Sequence, residues 1–389
     1  MASRNSLFPF LCTISTIFLL LTPTNSDSPP QAPLYNTGIK AGYWQSSMAE
    51  SFPPSSIQTS LFTHILYAFV EIDPQSYELA ISRSDQNLMT NFTSTLHSKS
   101  PPSPKLFLSI GGGGSNASAF ANMSSNPTTR TKFIASTIKS ARDHNFDGLD
   151  LDWEFPQTPG DMSNLGVLLQ EWRASLLTES IATNRTMLQL SAAVYFASSF
   201  FLSPAGPSYP ADAINQCLDF VSPMCFDYRG SWDTSATGEP AVLFDKESNV
   251  STGYGIGSWI GSGVARAKIV MGMPMYGRTW RLKDPKVNGV GAPAVGVGPG
   301  SEGTMSYVDV LGFISREGAT VVFDNKTVSD YSFAGRSWIG YDGVETVSEK
   351  VRFAKEQKLG GYFFWALGYD DGNSSLSITA STTWDSFHG

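Results

Sequence analysis

Basic residues are scarce in this chain: 26 Lys and Arg stand against 34 Asp and Glu in 389 residues, a net charge of −8. No stripe of Lys and Arg exists to neutralise a phosphate backbone, so nucleic acid is excluded as a partner and a neutral or hydrophobic one fits better. Cysteine is scarcer still. Of three, Cys12 falls in a leader segment and only Cys217 and Cys225 remain, too few for a disulfide framework or a zinc site. An extended strand between them would hold them too far apart to bridge, so both read as buried free thiols. The four histidines, His64, His97, His144 and His388, have no metal-ligand spacing. Neither a metal nor a cofactor is implied. Internal repeats and low-complexity tails are also missing.

Long apolar runs are absent beyond the N-terminus. There, Arg4 precedes an apolar run from Leu7 to Leu21 and the small polar stretch Thr22 to Ser26, which reads as a secretory signal over residues 1–26. A signal anchor is the competing reading, but the run is short for a bilayer and has Pro9 and Pro23 at its edges. The mature chain is expected from Asp27, released without a membrane partner, to the cell exterior or the vacuole. Seven acceptor sequons follow, at Asn91, Asn116, Asn122, Asn184, Asn249, Asn325 and Asn373, whereas Pro127 disqualifies Asn126.

What is plentiful is strand-length apolar sequence. Runs recur at 39–44, 64–71, 105–110, 148–152, 187–194, 220–227, 269–275 and 361–365, eight in all. Between them lie segments of helical period, the clearest at 130–144, where Phe133, Ile134, Ile138 and Ala141 share one face and Asn126-Pro127 supplies a start. The chain is long enough for one large domain or two smaller ones. Near-continuous apolar strands alternating with helices predict a parallel sheet covered on both sides, and eight units favour closure into an α/β (β/α)8 TIM barrel. The stretch after strand seven is too long for one crossover helix. Its Gly- and Pro-rich sequence and the short runs 319–323 and 337–341 predict a small α+β insertion at 278–342, ahead of a final helix around 346–357.

Residues 147–154, Asp-Gly-Leu-Asp-Leu-Asp-Trp-Glu, carry the chemistry. On a strand, Asp150, Asp152 and Glu154 point to one face while Leu151 and Trp153 take the other. Crowded, desolvated carboxylates cannot all ionise, so one is expected to stay protonated near neutral pH, as a general acid must. A solvated acidic edge is the bland alternative, disfavoured by apolar flanks at Phe146 and Phe155-Pro156. Asp147 has the wrong parity and is expected to cap or bend the start of the strand. A retaining glycosidase uses a second carboxylate about 5 Å away as nucleophile. A row on one strand instead suits a substrate that brings its own, such as the carbonyl oxygen of an N-acetyl group.

The spacing Asp147-x-x-Asp150-x-Asp152-x-Glu154 resembles the signature of glycoside hydrolase family 18, and the chain as a whole resembles plant class V chitinases, chitinase-related agglutinins included. Four further motifs support this. Ser109-Ile110-Gly111-Gly112 resembles the strand-three motif, Met224-Cys225-Phe226-Asp227 strand six, Gly272 to Gly277 strand seven, and Trp365 the strand-eight tryptophan. The resemblance implies a catalytic barrel over 27–389, acting as a monomer on chitin or N-acetylglucosamine oligomers with retention of configuration. Glu154 would protonate the glycosidic oxygen, Asp152 would orient the N-acetyl group, and Asp150 would share a proton with Asp152. Phe69, Met224, Phe226, Asp227, Tyr228, Tyr276, Arg278 and Trp365 would line the sugar site, with Trp365 as its floor unless it is plain core. Gly111 and Gly112 give backbone room near a ligand. The competing phosphate-loop reading of Gly111–Gly114 lacks the following Lys-Ser/Thr.

One position departs from the family pattern. Phe226 stands where a tyrosine usually donates to the N-acetyl oxygen, and loss of one preorganised donor costs on the order of 3 kcal/mol. Tyr228, two residues on, has the parity to compensate, though it would sit farther out along the strand. The alternative function is therefore a chitin-binding, lectin-like protein with weak or no turnover.

Overall fold

The computed structural model describes residues 38–202 and 206–386. The signal segment 1–26 lies outside the described residues. The barrel strands are β1 (Ile39–Gln45), β2 (His64–Ile72), β3 (Lys105–Gly111), β4 (Gly148–Asp152), β5 (Gln189–Tyr195), β6 (Phe220–Met224), β7 (Val270–Pro274) and β8 (Gly361–Trp365). They pair in parallel in the order β6-β5-β4-β3-β2-β1-β8-β7. One parallel bridge, Val221 to Ile269, joins the two ends and closes the ring.

Alternation along each strand divides the apolar side chains between two cores. Ile39, Ala41, Leu66, Phe107, Phe220 and Phe363 fill the barrel interior. A larger set, including Trp44, Leu108, Leu151 and Trp172, packs between strands and outer helices. The helices start where the sequence supplies caps. Asn126 accepts from Thr128 N at the head of Pro127–Asp143, with proline at a first-turn position where no N–H is needed. Thr158 and Asp161 form a capping box on Pro159–Thr183.

Between β7 and the helix Val344–Glu356 stands the insertion. Strands Tyr276–Leu282, Ser337–Tyr341, Ser329–Ala334 and Thr320–Asp324 lie side by side in antiparallel order. Ala294–Val297 and Thr304–Ser306 pair with the other edge of Tyr276–Leu282, and the helix Tyr307–Glu317 completes the unit. Its first strand begins two residues after β7 ends, so Tyr276 and Arg278 stand beside the barrel mouth. Trp280 and Trp338 form a separate small core inside the sheet.

β6 stops at Met224, three residues short of the predicted end at 227, whereas β4 ends at Asp152 as the run 148–152 predicts and leaves Glu154 beyond the sheet. Asp227 has φ +59°, a left-handed conformation that breaks strand alternation. Cys217 and Cys225 are buried free thiols. Among the described residues no helix is long and apolar enough to cross a membrane.

Candidate active site

Strand register builds the centre of the site. β3, β4 and β5 align Ser109, Asp150 and Ser191 across the sheet. Ser109 Oγ donates to Asp150 Oδ2 at 2.7 Å and Ser191 Oγ to Oδ1 at 2.6 Å. The Tyr43 hydroxyl on β1 adds a third bond to Oδ2 at 2.9 Å. Burial pushes the Asp150 carboxyl above its usual pKa while these three donors pull it back. Asp152, 3 % exposed, is raised well above the ordinary range, first by burial and then by the charges of Glu154 and Asp150. Its shielded Oδ1 has no partner among the described residues. Glu154 is pushed up to about 7, by burial and then by the negative charge of Asp227. A protonated acid thus stands at the mouth beside a buried carboxyl with a free acceptor.

Aromatic side chains form the floor. Trp365, at the end of β8, stacks on Phe69 with centroids 5.4 Å apart and planes at 20°, and Tyr43 meets it edge-on at 5.6 Å. Phe226 contacts Phe363 and Tyr276 edge-on at 6.1 and 6.3 Å. Peptide bonds 68–69, 154–155 and 365–366, all at this end of the barrel, are cis. Arg278 grips Asp227 through both carboxylate oxygens, at 2.8 and 2.7 Å, and donates to Thr304 Oγ1 at 2.8 Å. Tyr276 is buried beside this pair, and burial raises its phenol well above the usual pKa.

Glu154 borders a cavity of about 270 Å³, walled by Phe155, Tyr195, Met224, Phe226, Asp227 and Trp232 among others. Trp232 is 60 % exposed, with the Arg278 guanidinium 5.2 Å from its ring centre. A larger hollow, about 700 Å³, lies at the opposite end of the barrel by His97 and Lys105, but it holds none of the three acids.

Tyr228 lines the cavity beside Glu154, but its expected role as a substitute donor is a correction. Its ring is buried, its hydroxyl is 3.0 Å from Thr252 Oγ1, and it packs edge-on against Phe196. The left-handed turn at Asp227 reverses the parity that had aimed it at the acids. It supplies no hydroxyl in place of the one Phe226 lacks. Asp147 lies at the start of β4, where its carboxylate accepts from Leu106 N at 2.8 Å and sits 3.1 Å from His97 Nε2. Gly111 and Gly112 have φ +112° and +91°, and Gly112 N donates to Asp152 O at 2.8 Å. Tyr43, Ser191 and Trp232 were not foreseen from sequence. The first two depend on which strands become neighbours, and a tryptophan within the polar run 229–233 was the one available signal for the third.

The match to the family model Glycosyl hydrolases family 18 spans residues 39–370, from the first barrel strand to beyond the last. The chain belongs to this family. It is 51% identical over 352 residues to Nod factor hydrolase protein 1 of Medicago truncatula, covering 90% of each chain. A mutant of the class V chitinase from Nicotiana tobaccum, solved in complex with NAG4, superposes with a TM-score of 0.84 at 40% identity, covering 89% of this chain and 99% of that one. The chitinase-like agglutinin RobpsCRA from Robinia pseudoacacia superposes at 0.81 with 41% identity, again covering 89% and 99%. Family 18 membership therefore rests on the whole barrel and not on the acidic motif alone.

Proposed function

We propose that this family 18 protein is a chitinase-type hydrolase that cleaves β-1,4-linked N-acetylglucosamine chains by a substrate-assisted, retaining mechanism. One observation carries the reading: Glu154, raised to about 7, stands beside Asp152, whose buried Oδ1 has no partner among the described residues. A sugar lying over Trp365 presents its glycosidic oxygen to Glu154 and its leaving group to the cavity that contains Trp232. Glu154 gives its proton to that oxygen, and the N-acetyl carbonyl oxygen attacks the anomeric carbon from the other face. Asp152 accepts the N-acetyl N–H at its free oxygen and, once ionised, faces the positive oxazolinium. Asp150, held by Tyr43, Ser109 and Ser191, fixes the direction in which Asp152 can lose or take its proton. Glu154, now ionised, draws a proton from the water that opens the ring.

Turnover is favoured over mere binding because all three acids are present, Asp150 and Asp152 buried and Glu154 half-buried at the mouth, with Asp150 held by three donors; Phe226 slows the reaction without removing its acid. Seven sequons, each exposed at its asparagine, support passage of a monomeric enzyme through the secretory pathway to the cell exterior or vacuole. The test is Glu154→Gln, nearly isosteric but unable to donate as an acid. Turnover of chitotetraose should fall by about 100-fold or more, while a calorimetric titration with the same sugar keeps its affinity. Turnover within about tenfold of the unsubstituted chain removes Glu154 from its role.

A further inference from the structure

Asn116 closes the loop that follows β3, and that loop borders the general acid. A Cβ on Gly113 would lie 3.3 Å from Glu154 Oε1, and one on Gly112 would strike the Phe69 ring. Ser115 N donates to Gly112 O at 2.9 Å, folding the loop into a turn. Three residues of chain span at most about 11 Å, so Asn116 stands within that distance of Gly113. Its side chain is exposed and caps the helix Ala117–Ser125, with Oδ1 accepting from Ser118 N at 3.0 Å and Ala119 N at 3.2 Å. The cap uses only the oxygen. Nδ2, the atom that N-glycosylation modifies, is not needed for it, and the sequon Asn116-Ala117-Ser118 is complete.

We propose that Asn116 carries an N-linked oligosaccharide that acts as a size filter at the rim of the groove, restraining attack on particulate chitin while short soluble oligomers pass. The inference rests on the hydrolase and secretory readings above. In the transfer, Nδ2 forms a bond to the anomeric carbon of the first N-acetylglucosamine. The bond from that carbon to the pyrophosphate oxygen of a lipid-linked donor breaks, the lipid pyrophosphate leaves, and Nδ2 gives up one proton. The attached glycan is bulky and hydrated. A free tetramer reaches the groove from solution and can pass beside such a branch. A chain end in a solid arrives with its neighbours, so a branch this close to Glu154 collides with the surface before the chain is seated. Asn122, on the same helix, lies six residues further along, about 9 Å down the axis.

The experiment uses the full chain secreted from a eukaryotic host, with glycopeptide mass spectrometry at each sequon. Turnover of chitotetraose and of particulate chitin is compared for the unsubstituted chain, Ser118→Ala, Asn116→Asp and the remote control Asn91→Gln. Ser118→Ala keeps the asparagine cap, and Asn116→Asp keeps an oxygen acceptor there, so both remove the sequon without removing the cap. Asn116 should be occupied. Both variants should gain about threefold or more in kcat/KM on particulate chitin, with tetramer turnover within about 1.5-fold and Asn91→Gln changing neither. A bare Asn116 in a chain glycosylated elsewhere overturns the proposal alone, as do equal changes on both substrates. A chain with no glycan at any sequon overturns it together with the secretory reading. An unsubstituted chain inactive on both substrates overturns it together with the hydrolase reading.

Discussion

Glu154 owes its proton mainly to burial, with the negative charge of Asp227 second. Activity that needs the protonated acid should therefore fall as pH rises through about 7, and the alkaline limb belongs to Glu154 and its neighbour Asp152 together. Asp227→Asn removes the second cause, so the limb in kcat should move to lower pH; a limb that stays in place shows that Asp227 does not act on Glu154. Phe226 sets the other residue-level expectation. Phe226→Tyr restores a hydroxyl on a ring that already faces Tyr276 and Phe363. The gain, up to about a hundredfold, should appear in kcat with affinity little changed, because that bond strengthens only as charge develops. A fall in kcat, or a gain confined to KM, would show a site rebuilt around phenylalanine. The acid row was legible because strand alternation is local. The donors to Asp150 were only half legible, since Ser109 lies in a recognised motif but Tyr43 and Ser191 reach the carboxylate through register across separate strands. Tyr228 was misread because alternation was carried through Asp227, whose positive φ ends it.

At the scale of elements, the eight apolar runs were legible as strands because each is largely buried on both faces, and length, Gly- and Pro-rich sequence and two short apolar runs exposed the insertion. Its inner layout was less so. Ser337–Tyr341 was read correctly, but Ser329–Ala334, with polar Ser329, Asp330 and Ser332 breaking the apolar run, hides its strand character until paired on both sides. How β3 fits against β4 yields a prediction. Gly111 has φ +112°, and a Cβ there would lie 2.1 Å from Asp152 O. Gly111→Ala must both strain its own backbone and push the acid-bearing strand away, a cost of about 3 kcal/mol from conformation and overpacking together. The urea midpoint should drop, and the folded remainder should lose turnover because Asp152 has moved. An unchanged midpoint would mean that the β3–β4 contact yields freely.

Across the whole molecule, burial raises more carboxyls than pairing lowers in the interior, and stability should carry that sign. Glu239, 4 % exposed on the loop that follows β6, is pushed up to about 7 by burial despite a hydrogen bond from Thr327 at 3.1 Å. Asp342 is raised to about 6 by burial although Lys350 donates to it, and Glu154 reaches about 7. Each holds a proton in the native state that the unfolded chain releases near its ordinary pKa of about 4. Between about pH 4 and 7 the native state therefore binds more protons, so stability is full below that window and is lost as pH rises through it. Carboxyls held low by partners, such as Glu179 beside Arg142, act the other way and lose their contribution only in stronger acid. The balance places maximal stability in mild acid. For Glu239 alone the loss is of order 3 kcal/mol by pH 8. Thermal unfolding should give a higher Tm at pH 5 than at pH 8, and Glu239→Gln, which keeps an acceptor for Thr327 and cannot ionise, should narrow that difference chiefly by raising Tm at pH 8. If Glu239→Gln lowers Tm equally at both values, Glu239 is already ionised in the native state, stabilised by a partner rather than opposed by burial.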